Sequence, residues 1–492
     1  MDATASETAY ERVVGLEVHV QLKTRTKLFC GCPTDFGAPP NSHVCPVCLG
    51  LPGALPVLNR EAFDLALRAA LALGADIAPF TKFDRKNYYY PDLPKNYQIS
   101  QYDLPFSRGG SVEPDVEGAP RRIRVHRVHL EEDAGKLLHA DAPAAGGGFV
   151  SAGDGSLVDL NRTGIPLLEI VSEPDIRSSE EAYGYLVALK QILQYAGVSD
   201  CDMEKGTLRC DANVSVRPAG EERLGVKVEI KNLNSFRFVA KALDVEARRQ
   251  IAVLQEGGRI VQETRLWDDG RSETRPMRSK EEAHDYRYFP EPDLVPVVVS
   301  PEWLAQVRAA LPEMPRARKE RFVRQYGLSA YEAENLTQTR EGADLFEESV
   351  KSQNQPKLIS NWILGDLSKE ANTRRLPLSE LISPKHLGEL VHLTSTGRCT
   401  GSAAKVILKH VIETKKSPSD IMEKQGLAAV SDTGEIEKLC RAAVDANPGP
   451  VADYKAGKTA ALQFLMGHVM KGSRGKASPK VVMEVLARLL AS

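Results

Sequence analysis

The stretch VVGLEVHVQL, Val13–Leu22, decides how the first half of the chain is read. Val14, Leu16, Val18, Val20 and Leu22 alternate strictly with Gly15, Glu17, His19 and Gln21. A period of two sends the first set to one face of a strand and the second to the other. Two later stretches repeat the pattern. TLRCDANVSVR (Thr207–Arg217) presents Arg209, Asp211, Asn213 and Ser215, and GVKVEIKNL (Gly225–Leu233) presents Lys227, Glu229 and Lys231 opposite Val226, Val228 and Ile230. One polar face is ordinary, because an antiparallel sheet often has a solvated side. Three of them, carrying His, Asn, Asp, Gln and Arg, read together as the lining of one concave surface. Carboxylates and an imidazole gathered there suit Mg²⁺, which takes oxygen ligands and substrate phosphates.

Outward from these strands, IRVHRVHL (Ile123–Leu130), SLVDLN (Ser156–Asn161) and PLLEIV (Pro166–Val171) also read as β. The alternation in the first slips around His126, which reads either as a bulge or as a segment that is not a strand. Asn59 caps a helix through Leu73 with Gly74 as its stop, and Ser178 with Glu181 opens a helix ending at Gly197. A long helix runs from about Ser235 to Glu256. FPEPDLVP (Phe289–Pro296) is a boundary; beyond it the helical period takes over, and TKKSPSD (Thr414–Asp420) interrupts that region once. The expected organisation is α+β and multidomain: residues 1–295 as a largely antiparallel β domain with flanking helices, 296–414 as an all-α domain, and 415–492 as a small helical tail.

At 492 residues the chain exceeds what one core supports. No run of eighteen apolar residues spans a membrane, and MDATASETAYERV lacks the features of a secretory or transit signal. The cytoplasm, or an organelle matrix after processing, is the expected compartment. From Arg398 onward fifteen Lys+Arg face nine Asp+Glu, a charge of +6, so with a total of −2 the first 397 residues carry −8. A polyanion is therefore expected at the tail.

Cys30, Cys32, Cys45 and Cys48 form CGCP…CPVC, two knuckles whose four thiolates suit the closed shell of a structural Zn²⁺, the alternative being four uncoordinated thiols. The other four cysteines are scattered, which is no disulfide framework. HLEEDAGK (His129–Lys136) sets Glu131, Glu132 and Asp133 side by side; a cation offsets their repulsion, or they form an acidic surface turn. NYYYPDLPKNYQISQYDLP (Asn87–Pro105) gathers five tyrosines, and Pro91, Pro94 and Pro105 forbid a long helix. With Lys82, Arg85 and Lys86 beside it, this segment suits phosphates or a purine ring, or else forms a rigid surface loop. GKT at Gly457–Thr459 is a decoy, since Ala452 stands where a phosphate loop needs glycine; ADYKAGKTAALQFLMGHVMK (Ala452–Lys471) reads as one amphipathic helix. No nucleophile motif is found. Lys471, Arg474, Lys476 and Lys480, in KGSRGKASPK, suit a nucleic-acid backbone as well as a solvated linker.

GLEVHVQL, KFDRKNYYYPDLPKNYQISQYDLP, HLEEDAGK, LVDLNRTGIPLLEIVSEPDIRS, GTLRCDANVSVRP, EIKNLNSFRFV and DYRYFPEPDLVP stand in this order. Together they resemble the B subunits of the tRNA-dependent amidotransferases, nearly end to end. The resemblance implies a cradle-shaped catalytic domain, a helical domain and a helical tail that contacts tRNA. It implies that ATP phosphorylates the side-chain carboxylate of Glu or Asp carried on tRNA(Gln) or tRNA(Asn). Ammonia then displaces the phosphate; it comes from glutamine by way of an A-type amidase subunit, and a small C-type subunit clamps the heterotrimer. It places Glu17, His19, Glu132 and Glu229 around Mg²⁺ and the phosphates, with Glu131 and Glu132 free to exchange roles. Lys86 would stabilise the transferring phosphoryl group, and Asp211 and Asn213 would support the shell. Tyr89, Tyr90, Lys95, Arg209, Asn213 and Lys231 would face the nucleotide and the tRNA acceptor end. The family varies in its cysteines, and this chain resembles the zinc-bearing version.

Overall fold

The computed structural model describes residues 9–138, 143–144, 148–149, 155–277, 285–429, 433–455, 458–473 and 476–491. The chain divides into two compact units, Met1–Met314 and Pro315–Ser492. The first is a mixed sheet with flanking helices and the second is helical, an α+β multidomain architecture.

The Val13–Leu22 alternation becomes strand β1 (Tyr10–Gln21). With it stand β2 (Ile123–Glu132), β3 (Pro166–Ser172), β4 (Leu208–Pro218), β5 (Val228–Lys231), β6 (Thr264–Asp268) and β7 (Glu273–Pro276). The sheet runs β7-β6-β5-β4-β1-β3-β2 and continues into the short strands Ser107–Arg108 and Asp76–Ile77. Pairing is antiparallel from β5 through β2, while β5 and β6 are parallel. Strand β5 begins only at Val228, so Val226 is exposed and Lys227 precedes the strand.

Burial explains which way each strand faces. Val14, Leu16, Val18 and Val20 are at most 1% exposed, and they join Leu168, Ile170, Val128, Leu130, Ala212, Val214 and Ile230 in one core. Each of the Val, Leu and Ile side chains contributes about 1.5–3 kcal/mol by leaving water. Three helices supply further core side chains: α1 (Arg60–Ala72), α2 (Ser179–Tyr195) and α3 (Phe236–Gln255). Asn59 and Ser178 cap as expected, accepting from Ala62 N and Glu181 N, and Ser235 caps the third by accepting from Phe238 N. Gly74 and Gly257, just beyond two of the helices, adopt φ of 69° and 78°.

The slip at His126 has a structural purpose. The pairing of β2 with β3 shifts register between Val125 and Arg127. Ile123 and Val125 lie in the core before the bulge, and Val128 and Leu130 after it. This change of parity turns His129 and Glu131 onto the polar face.

A separate three-stranded sheet joins Phe289–Pro290, Asp84–Asn87 and Tyr97–Ser100, so the tyrosine-rich segment is partly regular. The helix Pro301–Ala309 belongs to the first unit, with Trp303 against Phe63 at 5.3 Å and beneath the Arg60 guanidinium at 3.5 Å. In the second unit one core runs from Phe322 to Met422 and another from Ile436 to Leu490. Where one helix was expected over Ala452–Lys471 there are two, Pro448–Lys455 and Ala460–Gly472; Ala456 and Gly457 lie outside the described residues. Among the described residues no helix is long and apolar enough to cross a membrane.

Candidate functional site

Strand register assembles the site. His19 on β1 lies opposite Arg209 on β4 and Glu169 on β3, and Glu169 lies opposite His129 on β2. Glu17 pairs with Asp211 and Val171 in the next row, and Glu229 pairs with Asn213 beyond it. Because these strands share one polar face, residues far apart in sequence become lateral neighbours.

At the centre, His19 Nε2 is 3.6 Å from Glu169 Oε2 and 3.7 Å from Glu131 Oε1. His129 Nε2 is 3.1 Å from Glu169 Oε2, while its Nδ1 is buried without a hydrogen-bond partner. Ligand atoms of His19, Glu131 and Glu169 lie within 4.8 Å of one another, a spacing that one metal ion can bridge. Two carboxylates and one imidazole fit a divalent cation that keeps positions for water or phosphate oxygens. Burial disfavours the charged His19 ring, but the Glu169 hydrogen bond and the charges of Glu131, Glu169 and Asp211 outweigh it and raise its pKa to about 9. Burial also opposes ionisation of Glu169, yet the two histidines hold its carboxyl well below the usual range. Glu17 is shifted upward, first by burial and then by Glu169 and Glu229; it accepts from Asn213 Nδ2 at 2.9 Å.

The other expected residues have identifiable partners. Asp211 meets Lys231 Nζ at 2.9 Å, and Glu229 meets the same ammonium at 3.2 Å and Thr264 Oγ1 at 2.7 Å. Arg209 is held by Asp133 at 2.8 Å. Glu132, expected beside His19, is placed elsewhere: strand alternation turns it away from Glu131, and its carboxylate is bound by Lys95 and by Ile99 N. Lys95 is half-buried, with its ammonium on Glu132. Lys86 projects from the Asp84–Asn87 strand with Nζ 4.8 Å from the Tyr286 ring centroid and 5.7 Å from that of Tyr88. Tyr89 and Tyr90 are exposed at 79% and 53%. The aromatic wall is built instead from Tyr88, Tyr286, Tyr288 and Tyr102, the last two stacked at 4.1 Å.

The residues missed at the sequence level are Glu169 and His129, with Tyr286 and Tyr288 in the wall. Glu169 is the single acid in PLLEIV, and His129 precedes Glu131 by two positions, hence on the same face. Those were the available signals.

The cysteine quartet forms a second centre. Cys48 Sγ lies 3.5, 3.7 and 3.8 Å from the sulfurs of Cys30, Cys45 and Cys32. A tetrahedron with metal–sulfur bonds of ~2.3 Å has edges of about 3.8 Å, so the four atoms fit a closed thiolate shell. The Cys48 thiol is lowered to about 4, first by its hydrogen bond from Cys30 and, against desolvation, by the Lys27 charge. In the tail, Lys471 is exposed and Lys476 half-buried; Arg474 and the Lys480 side chain lie outside the described residues.

A β surface lined by acids and histidines, with an all-helical second unit, defines a catalytic domain of the GatB/GatE type: that family model matches residues 12–305, and the GatB domain model matches residues 344–490. The chain is 55% identical over 483 residues to a Carboxydothermus hydrogenoformans protein, covering 98% of this chain and 99% of that one. It is 53% identical over 478 residues to one from Caldanaerobacter subterraneus, covering 97% and 98%. Both are named as the B subunit of aspartyl/glutamyl-tRNA(Asn/Gln) amidotransferase. The chain belongs to this amidotransferase B-subunit family.

Proposed function

We propose that the polar face of the sheet activates the side-chain carboxylate of Glu on tRNA(Gln), of Asp on tRNA(Asn), or both. ATP phosphorylates that carboxylate, and ammonia displaces the phosphate to leave the amide. The observation that carries this reading is the His19–Glu131–Glu169 group, whose carboxylates act electrostatically on Tyr88 and Tyr288 of the aromatic wall, on the unit that matches the catalytic family model. His19, Glu131 and Glu169 would hold Mg²⁺, which when bound offsets charge on nucleotide phosphates. Lys86 adds a positive charge beside the transferring group, and phosphoryl transfer depends chiefly on such positioning and electrostatics. Glu17, with Asn213, and the Asp211–Lys231–Glu229 chain orient the flank. Tyr288 and Tyr286 exclude water and offer faces for bases of the acceptor end.

The absence of a nucleophile motif suits a protein that receives ammonia from an A-type amidase partner, with a small C-type partner completing a heterotrimer. We place functional boundaries near 295 and 414, give residues 415–492 the tRNA contact, assign zinc to the cysteine quartet, and assign the chain to the cytoplasm. The test reconstitutes the three subunits with Glu-tRNA(Gln), ATP, Mg²⁺ and glutamine. Acyl phosphate and amide should appear together and vanish with His19→Ala, while glutamine hydrolysis continues. Amide formation that survives His19→Ala would remove this face from the reaction.

A further inference from the structure

Lys27 is 0% exposed. Its ammonium donates to His43 O at 2.7 Å, to Leu160 O at 3.3 Å and to Cys48 Sγ at 3.4 Å. Those acceptors use all three of its N–H groups, and two of them are neutral carbonyls. No described carboxylate pairs with it. An ammonium buried without a counter-charge costs several kcal/mol, which is why such lysines ordinarily carry an acid partner or lose the proton. The one acidic atom in contact here is a sulfur of the cysteine quartet, on its one fully buried member. Four thiolates around one divalent cation leave a double negative charge, and burying that charge has the complementary cost. Each group supplies what the other lacks.

We propose that Lys27 is the built-in counter-charge of the cysteine metal centre, a positioning residue that keeps Cys48 in the shell and ties the shell to the Leu160–Gly164 turn. The inference rests on reading the quartet as a metal site. The backbone around it follows the same path. Lys27 N donates to Cys32 O at 3.0 Å inside the knuckle, Leu28 N donates to Gly164 O at 2.8 Å, and Gly164 N donates to Asp133 O at 2.8 Å. The line therefore ends in the acidic segment that carries Glu131. Outer-shell partners of this kind commonly change metal affinity about 10–100-fold when removed.

The test uses the full chain with its zinc content measured, Lys27→Gln to remove the charge and Lys27→Arg to keep it. Zinc transfer to a chromogenic chelator should be at least about tenfold faster from Lys27→Gln than from the wild type, with Lys27→Arg recovering most of the difference. Co²⁺ substituted into the quartet should show a shifted thiolate charge-transfer band in Lys27→Gln. Equal release rates and an unshifted band would overturn the proposal. Should Lys27→Gln fail to fold, Cys45→His is added, because imidazole removes one negative charge from the shell. Recovery of a folded, metal-bearing chain in that double variant supports the counter-charge, and failure to recover overturns it. A wild-type chain with no zinc and four freely reacting thiols would instead sink the metal reading itself.

Discussion

Glu131 and Glu132 are consecutive residues with different surroundings, because successive side chains of a strand leave opposite faces. Glu131 looks toward His19, while Glu132 is buried against Lys95 and Ile99 N. Their neutral variants should therefore separate. Under the proposed function, Glu131→Gln is expected to lower the ATP-dependent step by roughly a hundredfold or more, with a smaller loss of melting temperature than Glu132→Gln. Glu132→Gln removes one partner of a buried ion pair and should cost about 3–5 kcal/mol of stability, read by thermal melting. Similar losses in both assays for both variants would contradict the separation. Glu17, His19, Arg209, Asp211 and Glu229 were legible in the sequence because strict alternation marks a face. The choice between Glu131 and Glu132 was not, since it depends on a one-residue bulge whose parity only burial settles. Glu169 was obscured by the apolar run around it, and Lys95 looked available because its buried partner is 37 residues away.

Elements follow the same division between local and non-local information. The caps at Asn59, Ser178 and Ser235 rest on hydrogen bonds three residues long, so they could be placed from sequence alone. The wall around Lys86 could not, because Arg85 is anchored by Glu291 at 2.8 Å through both carboxylate oxygens, across 206 positions. In the helical unit, the helix Arg340–Ser352 is fastened to the helix Pro315–Tyr326 through Glu347, which binds Arg318, Arg321 and Tyr326. Burial opposes ionisation of Glu347, but these hydrogen bonds outweigh it and hold its pKa at about 2, against an ordinary value of 4.5. A depressed carboxyl stabilises the fold above its unfolded value and loses that contribution as pH falls through the folded one. Acidification from about 4.5 toward 2 should thus remove up to ~3 kcal/mol that Glu347→Gln lacks throughout. Melting curves of both proteins across that window should converge at the acid end; parallel curves would show that the fastening carries little energy.

At the scale of the whole molecule, charge is unevenly spread, with +6 from Arg398 onward and −8 before it. Under the proposed function, Lys471→Ala with Lys476→Ala should raise KM for the aminoacyl-tRNA several-fold and leave kcat unchanged. The slope of log affinity against log salt should become shallower by about one for each lost phosphate contact. Filter binding at several salt concentrations checks this, and an unchanged slope would locate the contact elsewhere. The α+β class and the helical second half were readable from periodicity, whereas the order of strands across the sheet was not, since nothing local states which strand lies beside which. That order has a consequence during synthesis. Strand β1 leaves the ribosome first but sits in the middle of the sheet, between β3 and β4, whose last residue is Pro218. Its first sheet neighbour is complete only at Ser172, and its second edge stays unpaired until roughly two hundred further residues have emerged. The nascent chain must carry its future centre unpaired for most of the domain's translation, so chaperone protection and pauses after codon 218 should govern the yield of this protein more than any change at its surface.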